Sequence, residues 1–199
     1  MTPASRLRSA LRIWAWLGLA VFALLPWYFL QDRSLLSALP EVWQGPDTAS
    51  ALVQAQRHGR PWLWAAPAGL ALCALAVFVP ALQAPARQGP LLLAGSLVGL
   101  LGLLVSGFAI GATGWAFESL ASLWGALPTG QYGMGWGAAV VLLSLVVLLG
   151  ASLARLGGFR GDVFVAAAVV ACSALLALFV VYPVLRSLVA AWVDDAGAY

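Results

Sequence analysis

The chain has 199 residues, of which 63% are hydrophobic and only 9% charged, and its mean hydropathy is +0.96. A soluble domain carries about a quarter charged residues, so this composition excludes a water-facing globule and predicts an integral membrane protein that contacts the lipid bilayer. The basic residues are ten arginines, against seven acids. They lie singly or in small groups at the ends of apolar runs rather than on one face, which argues against binding to nucleic acid.

Five charge-free apolar intervals are long enough to cross a bilayer, which takes about 20 residues of helix. The first has a basic flank, as a signal peptide would, but its apolar part exceeds the usual length of about 7–15 residues. No clear small-residue cleavage site follows it directly, so we expect an uncleaved anchor. The predicted fold is all-α, a polytopic membrane helical bundle with transmembrane helices at 13–30, 62–80, 91–113, 134–154 and 163–186.

The distribution of arginine predicts the orientation, because cytoplasmic loops carry an excess of basic residues. With the N-terminus in the cytoplasm, the arginines on that side are Arg6, Arg8, Arg12, Arg87, Arg155 and Arg160. The opposite orientation would place only Arg33, Arg57, Arg60 and Arg186 there. We therefore expect a cytoplasmic N-terminus and a C-terminus outside.

Aromatic residues gather at the predicted outer ends of the spans, where an apolar ring with a polar tip is favoured. They are Trp27, Tyr28, Trp62, Trp64, Trp115, Trp124, Trp136 and Trp192. Two outer loops, 31–61 and 114–133, connect the spans on that side. In the first loop, Asp47 is predicted to cap a short helix that lies on the membrane surface. The second loop is expected to rest at the lipid headgroups.

The spans offer no ionisable group for an ion pump or a proton relay, which place such groups inside the membrane. The intervals 61–86, 88–117, 119–154 and 163–185 contain no Asp, Glu, Lys, Arg or His. Without lysine, the chain also has no phosphate-binding loop of the ATPase type. Energy coupling by these helices alone is therefore not expected.

Outside the spans, His58 and Glu118 are the residues closest to a candidate site. A single histidine without carboxylates at ligand spacing does not make a metal site, so we expect a solvated His58 and a water-exposed Glu118. Cys73 and Cys172 lie in the middle of apolar runs and are read as small hydrophobic residues rather than a redox pair. We therefore predict no catalytic, cofactor-binding or metal site. A membrane enzyme, with polar residues gathered at one interface, is the weaker alternative.

Small residues in the third span predict close helix packing. Gly95 and Gly99, and then Gly107 and Gly111, are spaced four apart, which lets two helix backbones approach closely. We expect this helix at the centre of the bundle, with the alanine-rich fifth span as its partner. A homo- or hetero-oligomer formed through these glycines is the alternative. Pro26 and Pro183 predict helix kinks, which membrane helices tolerate.

The C-terminal part, VFVAAAVVACSALLALFVVYPVLRSLVAAWVDDAGAY, resembles the opening transmembrane helix of inner-membrane permeases in binding-protein-dependent ABC importers, and most of all the iron(III)-type permease. In that family the first core helix ends in a Tyr/Leu-Pro-hydrophobic-Leu-Arg pattern, which Tyr182, Pro183, Leu185 and Arg186 match. Some longer members carry an N-terminal extension of several helices, and LRIWAWLGLAVFALLPWYFL at 11–30 looks like its start.

The resemblance implies a four-helix extension at 1–160 and the first helix of a permease core at 161–199. The Glu-Ala-Ala loop by which the family docks on its ATPase does not occur in this sequence, so this loop and further helices would come after Tyr199. The implied protein works in a bacterial inner membrane with an ATP-binding subunit and a periplasmic binding protein, and ferric iron is the implied substrate. The alternative is a self-contained five-helix scaffold or accessory subunit.

Overall fold

The computed structural model describes residues 3–30, 34–45, 47–111, 114–115, 118–127 and 133–192. Within these ranges the chain is almost entirely helical, with α1 (Pro3–Leu24), α2 (Leu35–Ala38), α3 (Ala51–Arg57), α4 (Ala65–Phe78), α5 (Pro85–Ala109), α6 (Glu118–Trp124), α7 (Trp136–Arg155), α8 (Val163–Leu176) and α9 (Tyr182–Trp192). Short 3₁₀ turns lie at Leu39–Glu41, Pro61–Trp64, Pro80–Leu82 and Gly158–Gly161. A π-helical turn, Ala177–Val181, joins α8 to α9, and β1 (Ile110–Gly111) pairs antiparallel with β2 (Gly114–Trp115).

The predicted helical membrane bundle is confirmed. Five helical stretches are long and apolar enough to cross a membrane: Leu7–Leu24, Pro61–Phe78, Ala86–Ala109, Trp136–Arg155 and Val163–Leu185. Each lies close to a span predicted from the sequence. The chain is therefore a multi-pass membrane protein by the length and composition of its helices.

Of the two prolines predicted to kink a helix, Pro26 lies outside any helix and Pro183 lies within one. α1 ends at Leu24 because the residue before a proline disfavours helical geometry, so Pro26 lies beyond the helix in an extended segment. Pro183 does lie inside a continuous helical stretch. Its missing N–H leaves the carbonyl of Phe179 without a helical donor, and the π-helical turn occurs at this place.

α7 is the most enclosed span, since 61% of its residues are buried, against 28% for the spans in α1 and α5. It packs against α1, α5 and α8. The prediction that the third span, α5, lies at the centre is therefore wrong. The long row of large residues in α7, including Val141, Leu145 and Leu148, fills the space between the other helices.

α4 and α5 approach each other closely through a glycine seam formed by Gly69, Gly95 and Gly99. A Cβ atom added to Gly69 would lie 2.3 Å from the carbonyl oxygen of Gly95 and 2.6 Å from the amide nitrogen of Gly99. The predicted close packing at Gly95 and Gly99 is thus found, but the fifth span is not the partner. α8 instead packs on α7, where Gly150 lies against Ala167.

The corner between α7 and α8 is tightly bent. Gly157 and Gly161 have positive φ angles of 93° and 80°, and Phe159 and Arg160 also lie in the left-handed region with φ of 53°. Asp162 then caps α8, because its carboxylate accepts hydrogen bonds from the amides of Phe164 (2.9 Å) and Val165 (3.1 Å). This corner starts the fifth span beside α7.

Replacing Gly69 with alanine should destabilise the bundle, because the new methyl group would meet backbone that cannot rotate away. Overpacking costs about 1–3 kcal/mol in general, and we expect the upper end here. Thermal unfolding in detergent can be followed by the reaction of a thiol-specific fluorophore with buried Cys73 in a Cys172→Ala background. The matched control is Gly107→Ala, which has open space around it. Equal melting temperatures for the two variants would contradict the seam.

Candidate functional site at the loop-covered end

The segment after α1 crosses the end of the bundle as an extended strand-like piece between two other segments. On one side the amide of Trp27 donates to the carbonyl of Ala49 (3.1 Å). On the other side the carbonyl of Trp27 accepts from the amide of Gly135 (2.9 Å). Gly135 must be glycine here, because a Cβ atom would lie 2.2 Å from the carbonyl oxygen of Tyr28. We call this end of the bundle, at Leu24, Pro61 and Trp136, the loop-covered end.

Arg60 is the centre of a buried polar cluster at this end. Its side chain is 1% exposed, the guanidinium Nη1 donates to Oε1 of Gln54, and Cζ lies 4.6 Å from the centre of the Tyr28 ring. The turn that positions Arg60 follows α3: Gly59 takes a φ of 65°, as a residue past a helix C-terminus often does, and the amide of Arg60 reaches back to the carbonyl of Gln54 (3.3 Å). One arginine thereby ties α3 to the segment after α1.

Other polar side chains are also buried at the loop-covered end. Thr48, Ser50 and Gln54 are buried, and Thr48 Oγ1 donates to the carbonyl of Glu41 (3.1 Å). Ser50 Oγ and His58 Nε2 are buried without a hydrogen-bond partner among the described residues. The expectation of a solvated His58 is therefore wrong for this nitrogen, because the turn after α3 encloses it.

The short helix in the first outer loop also differs from the prediction. It begins at Ala51 with Ser50 as the N-cap residue, so Asp47 lies in the preceding turn and is not the cap. One side of the helix is buried, at Ala51, Val53, Gln54 and Ala55, while Gln56 and Arg57 are exposed. The uncharged, largely small and apolar stretch ALVQAQ was the signal that could have indicated burial.

The expected aromatic belt is present only in part. Trp64, Trp124 and Trp136 are exposed at the loop-covered end, as predicted, whereas Trp27 and Tyr28 are buried. Trp62 packs edge-on against Trp115 with ring centres 5.4 Å apart, and Trp115 Nε1 donates to the carbonyl of Gly125 (2.8 Å). The side chain of Trp192 lies outside the described residues.

The remaining predicted positions are dispersed. Cys73 is buried, and its Sγ lies 3.6 Å from the carbonyl oxygen of Leu92, whereas Cys172 is exposed on the fifth span. Gly95 and Gly99 are buried and Gly107 has open space around it, whereas the surroundings of Gly111 lie outside the described part of the chain. Oligomerisation through this face could therefore involve Gly107 but not the two buried glycines.

The residues that carry the family resemblance lie on the fifth span. The Tyr182 ring packs edge-on against Phe108 of α5 at 5.0 Å, and Pro183 and Leu185 are exposed. The side chains of Arg186 and Glu118 lie outside the described residues. Among the residues that the structure describes, no group of three His, Cys, Asp or Glu could hold a metal ion.

The Arg60 cluster acts as a structural clamp, because one guanidinium contacts both the amide of Gln54 and the ring of Tyr28. Comparison of the chain with protein-family models, with curated proteins and with solved structures found no match. Functional inference therefore depends on the chain's own residues.

Removing the guanidinium should weaken the clamp. A buried hydrogen bond to a charged group contributes about 1.5–3 kcal/mol, and we expect Arg60→Gln to destabilise the protein by about 2–3 kcal/mol in the same thermal assay. Arg60→Lys should recover little of this, because an ammonium lacks the planar fork that bonds an amide and stacks on a ring. The control is the exposed Arg57, the last residue of α3: Arg57→Gln should change stability by at most about 0.5 kcal/mol. Similar losses for both residues would contradict the clamp.

The Tyr28 phenol should titrate at a higher pH than an ordinary tyrosine. Burial raises the pKa of the Tyr28 phenol above its usual value near 10, and the charge of Arg60 partly lowers it. Because the folded state holds this proton more tightly, its contribution to stability is complete below about pH 10 and is lost as the pH rises from there through the folded-state pKa. Subtracting the ultraviolet titration of Tyr28→Phe from that of the wild-type protein should give the titration of the Tyr28 phenol alone. A difference curve centred below pH 10 would contradict the buried position.

Proposed function

We propose that this chain is a membrane-embedded part of a larger transport complex, the permease of a binding-protein-dependent ABC importer in a bacterial inner membrane. In this proposal α1 to α7 form the N-terminal extension and the fifth span opens the permease core. A separate ATP-binding subunit and a periplasmic binding protein would supply the energy and the substrate, and ferric iron is the substrate favoured by the resemblance.

The observation that carries this proposal is the contrast in burial between the fifth span and the rest of the bundle. Only 6% of the residues in Val163–Leu185 are buried, whereas each of the other four spans has 28% or more. Near the start of the span, Ala166 is buried and Ala167 lies against Gly150 of α7. Further along, the ring of Tyr182 packs on Phe108 of α5. Such a helix has most of its length available for neighbours that this chain does not provide.

The five spans contain no Asp or Glu, in keeping with a part that does not couple energy by itself. ABC importers take their energy from a separate ATPase, so a helical extension needs no intramembrane carboxylate. A self-contained scaffold or accessory subunit remains the second candidate. It is favoured by the glycine seam, because α1, α4, α5 and α7 already pack into a closed bundle without a partner.

Two measurements test the proposal together. The intact mass of the native gene product from solubilised membranes should be well above 20.7 kDa, with these residues at its front. A maleimide photo-crosslinker on Cys172, in a Cys73→Ala background, should then link to the core of the same permease. A mass of 20.7 kDa without an associated ATP-binding subunit would overturn the permease assignment in favour of the scaffold.

A further inference from the structure

The end of the bundle opposite the loops is strongly basic. Its described side chains include Arg8, Arg12, Arg87, Arg155 and Arg160, and Asp162 is the one acid among the described residues of these segments. The carboxylate of Asp162 is already engaged by the amides at the start of α8. We call this the arginine-rich end.

One face of this end combines arginine with exposed aromatic rings. Arg8, Arg12 and Trp16 are four residues apart on α1 and therefore lie on the same face of the helix. The Arg12 Cζ atom lies 5.6 Å from the centre of the Phe78 ring, and Trp16 packs edge-on against the same ring at 6.1 Å. Trp16 is 61% exposed and Phe78 38% exposed. An exposed aromatic pair thus lies directly next to a guanidinium.

The hydrogen bonds of this face leave arginine donors available. Arg12 Nε donates to the carbonyl of Val77 (3.3 Å), which also accepts from Gln83 Nε2 (3.0 Å). Gln88 Nε2 satisfies the carbonyl of Ala76 (3.0 Å). The terminal nitrogens of exposed Arg12 have no acceptor within the described part of the chain. Arg12 is thus anchored through Nε while its two terminal amino groups remain ready for an external acceptor.

We propose that this face binds an anionic phospholipid, with the lipid phosphate on the Arg12 guanidinium and an acyl chain along Trp16 and Phe78. Guanidinium groups bind phosphate oxygens with two parallel hydrogen bonds, and clustered arginines beside membrane helices attract acidic headgroups. The exposed rings favour a lipid over a free anion, because a free phosphate would leave that apolar surface without a partner. Arg87, which donates to the carbonyl of Ala81 (3.3 Å) and is exposed, adds positive charge beside this site.

The experiment measures lipid preference with the full chain in detergent. Native mass spectrometry counts the phosphatidylglycerol and phosphatidylcholine molecules retained when both lipids, with identical acyl chains, compete. The wild-type protein should prefer phosphatidylglycerol. Arg12→Gln should lower that preference about fivefold, the effect of one basic residue near an acidic lipid surface. Arg12→Lys should keep part of it through charge alone.

The matched control is Arg57→Gln, which removes the same charge at the loop-covered end and should leave the preference unchanged. Should Arg12→Gln fail to fold, Arg87→Gln takes its place, with a smaller decrease expected. A wild-type protein without preference, or an equal decrease in the Arg57 variant, would overturn the proposal. Complete displacement of the lipid by inorganic phosphate would also overturn it, because the acyl chain would then contribute nothing.

Discussion

Helices in a bilayer gain little by hiding apolar side chains from lipid tails that are just as apolar, so contact distance decides which helices associate. In this bundle the decisive contact is the approach of α4 to α5 at Gly69, Gly95 and Gly99, where even a methyl group would meet backbone. This approach also sets the position of α7, because Leu145 occupies the space beside Gly99. The close approach of α4 to α5, and the space that Leu145 of α7 occupies beside it, therefore follow from residues that have no side chain.

The sequence predicted the number, type and approximate position of the spans because each is a long apolar run with charges at its ends. It also indicated that Gly95 and Gly99 form a close contact, but it could not name the partner. A single glycine such as Gly69, in a span without a second glycine four residues away, gives no spacing pattern. That Gly69 is the partner follows only from the three-dimensional arrangement of the helices.

The Arg60 cluster was not predictable for a related reason. An arginine in a polar loop is normally solvated, and RHGR reads as a solvated turn. Arg60 contacts two segments from different places in the chain, Tyr28 after α1 and Gln54 in α3, and the Tyr28 segment is in turn held by Gly135 before α7. Charge patterns predict which end of a helix meets water, but they do not indicate which loop folds over that end. The two ends therefore use arginine differently, buried under loops at one and exposed beside aromatic rings at the other.

The exposure of the fifth span has a different energetic consequence in a membrane protein than it would have in a soluble one. An exposed leucine on this helix carries no penalty in lipid, so exposure alone does not require a partner. The way in which the fifth span is held gives a stronger reason to expect a neighbouring helix. α8 begins in a constrained corner beside Gly150, and Tyr182 at the start of α9 packs on Phe108 of α5, with a π-helical turn between α8 and α9. A helix held at two points over its length can accommodate a neighbour along its free face without disturbing the seam that holds α4 to α5.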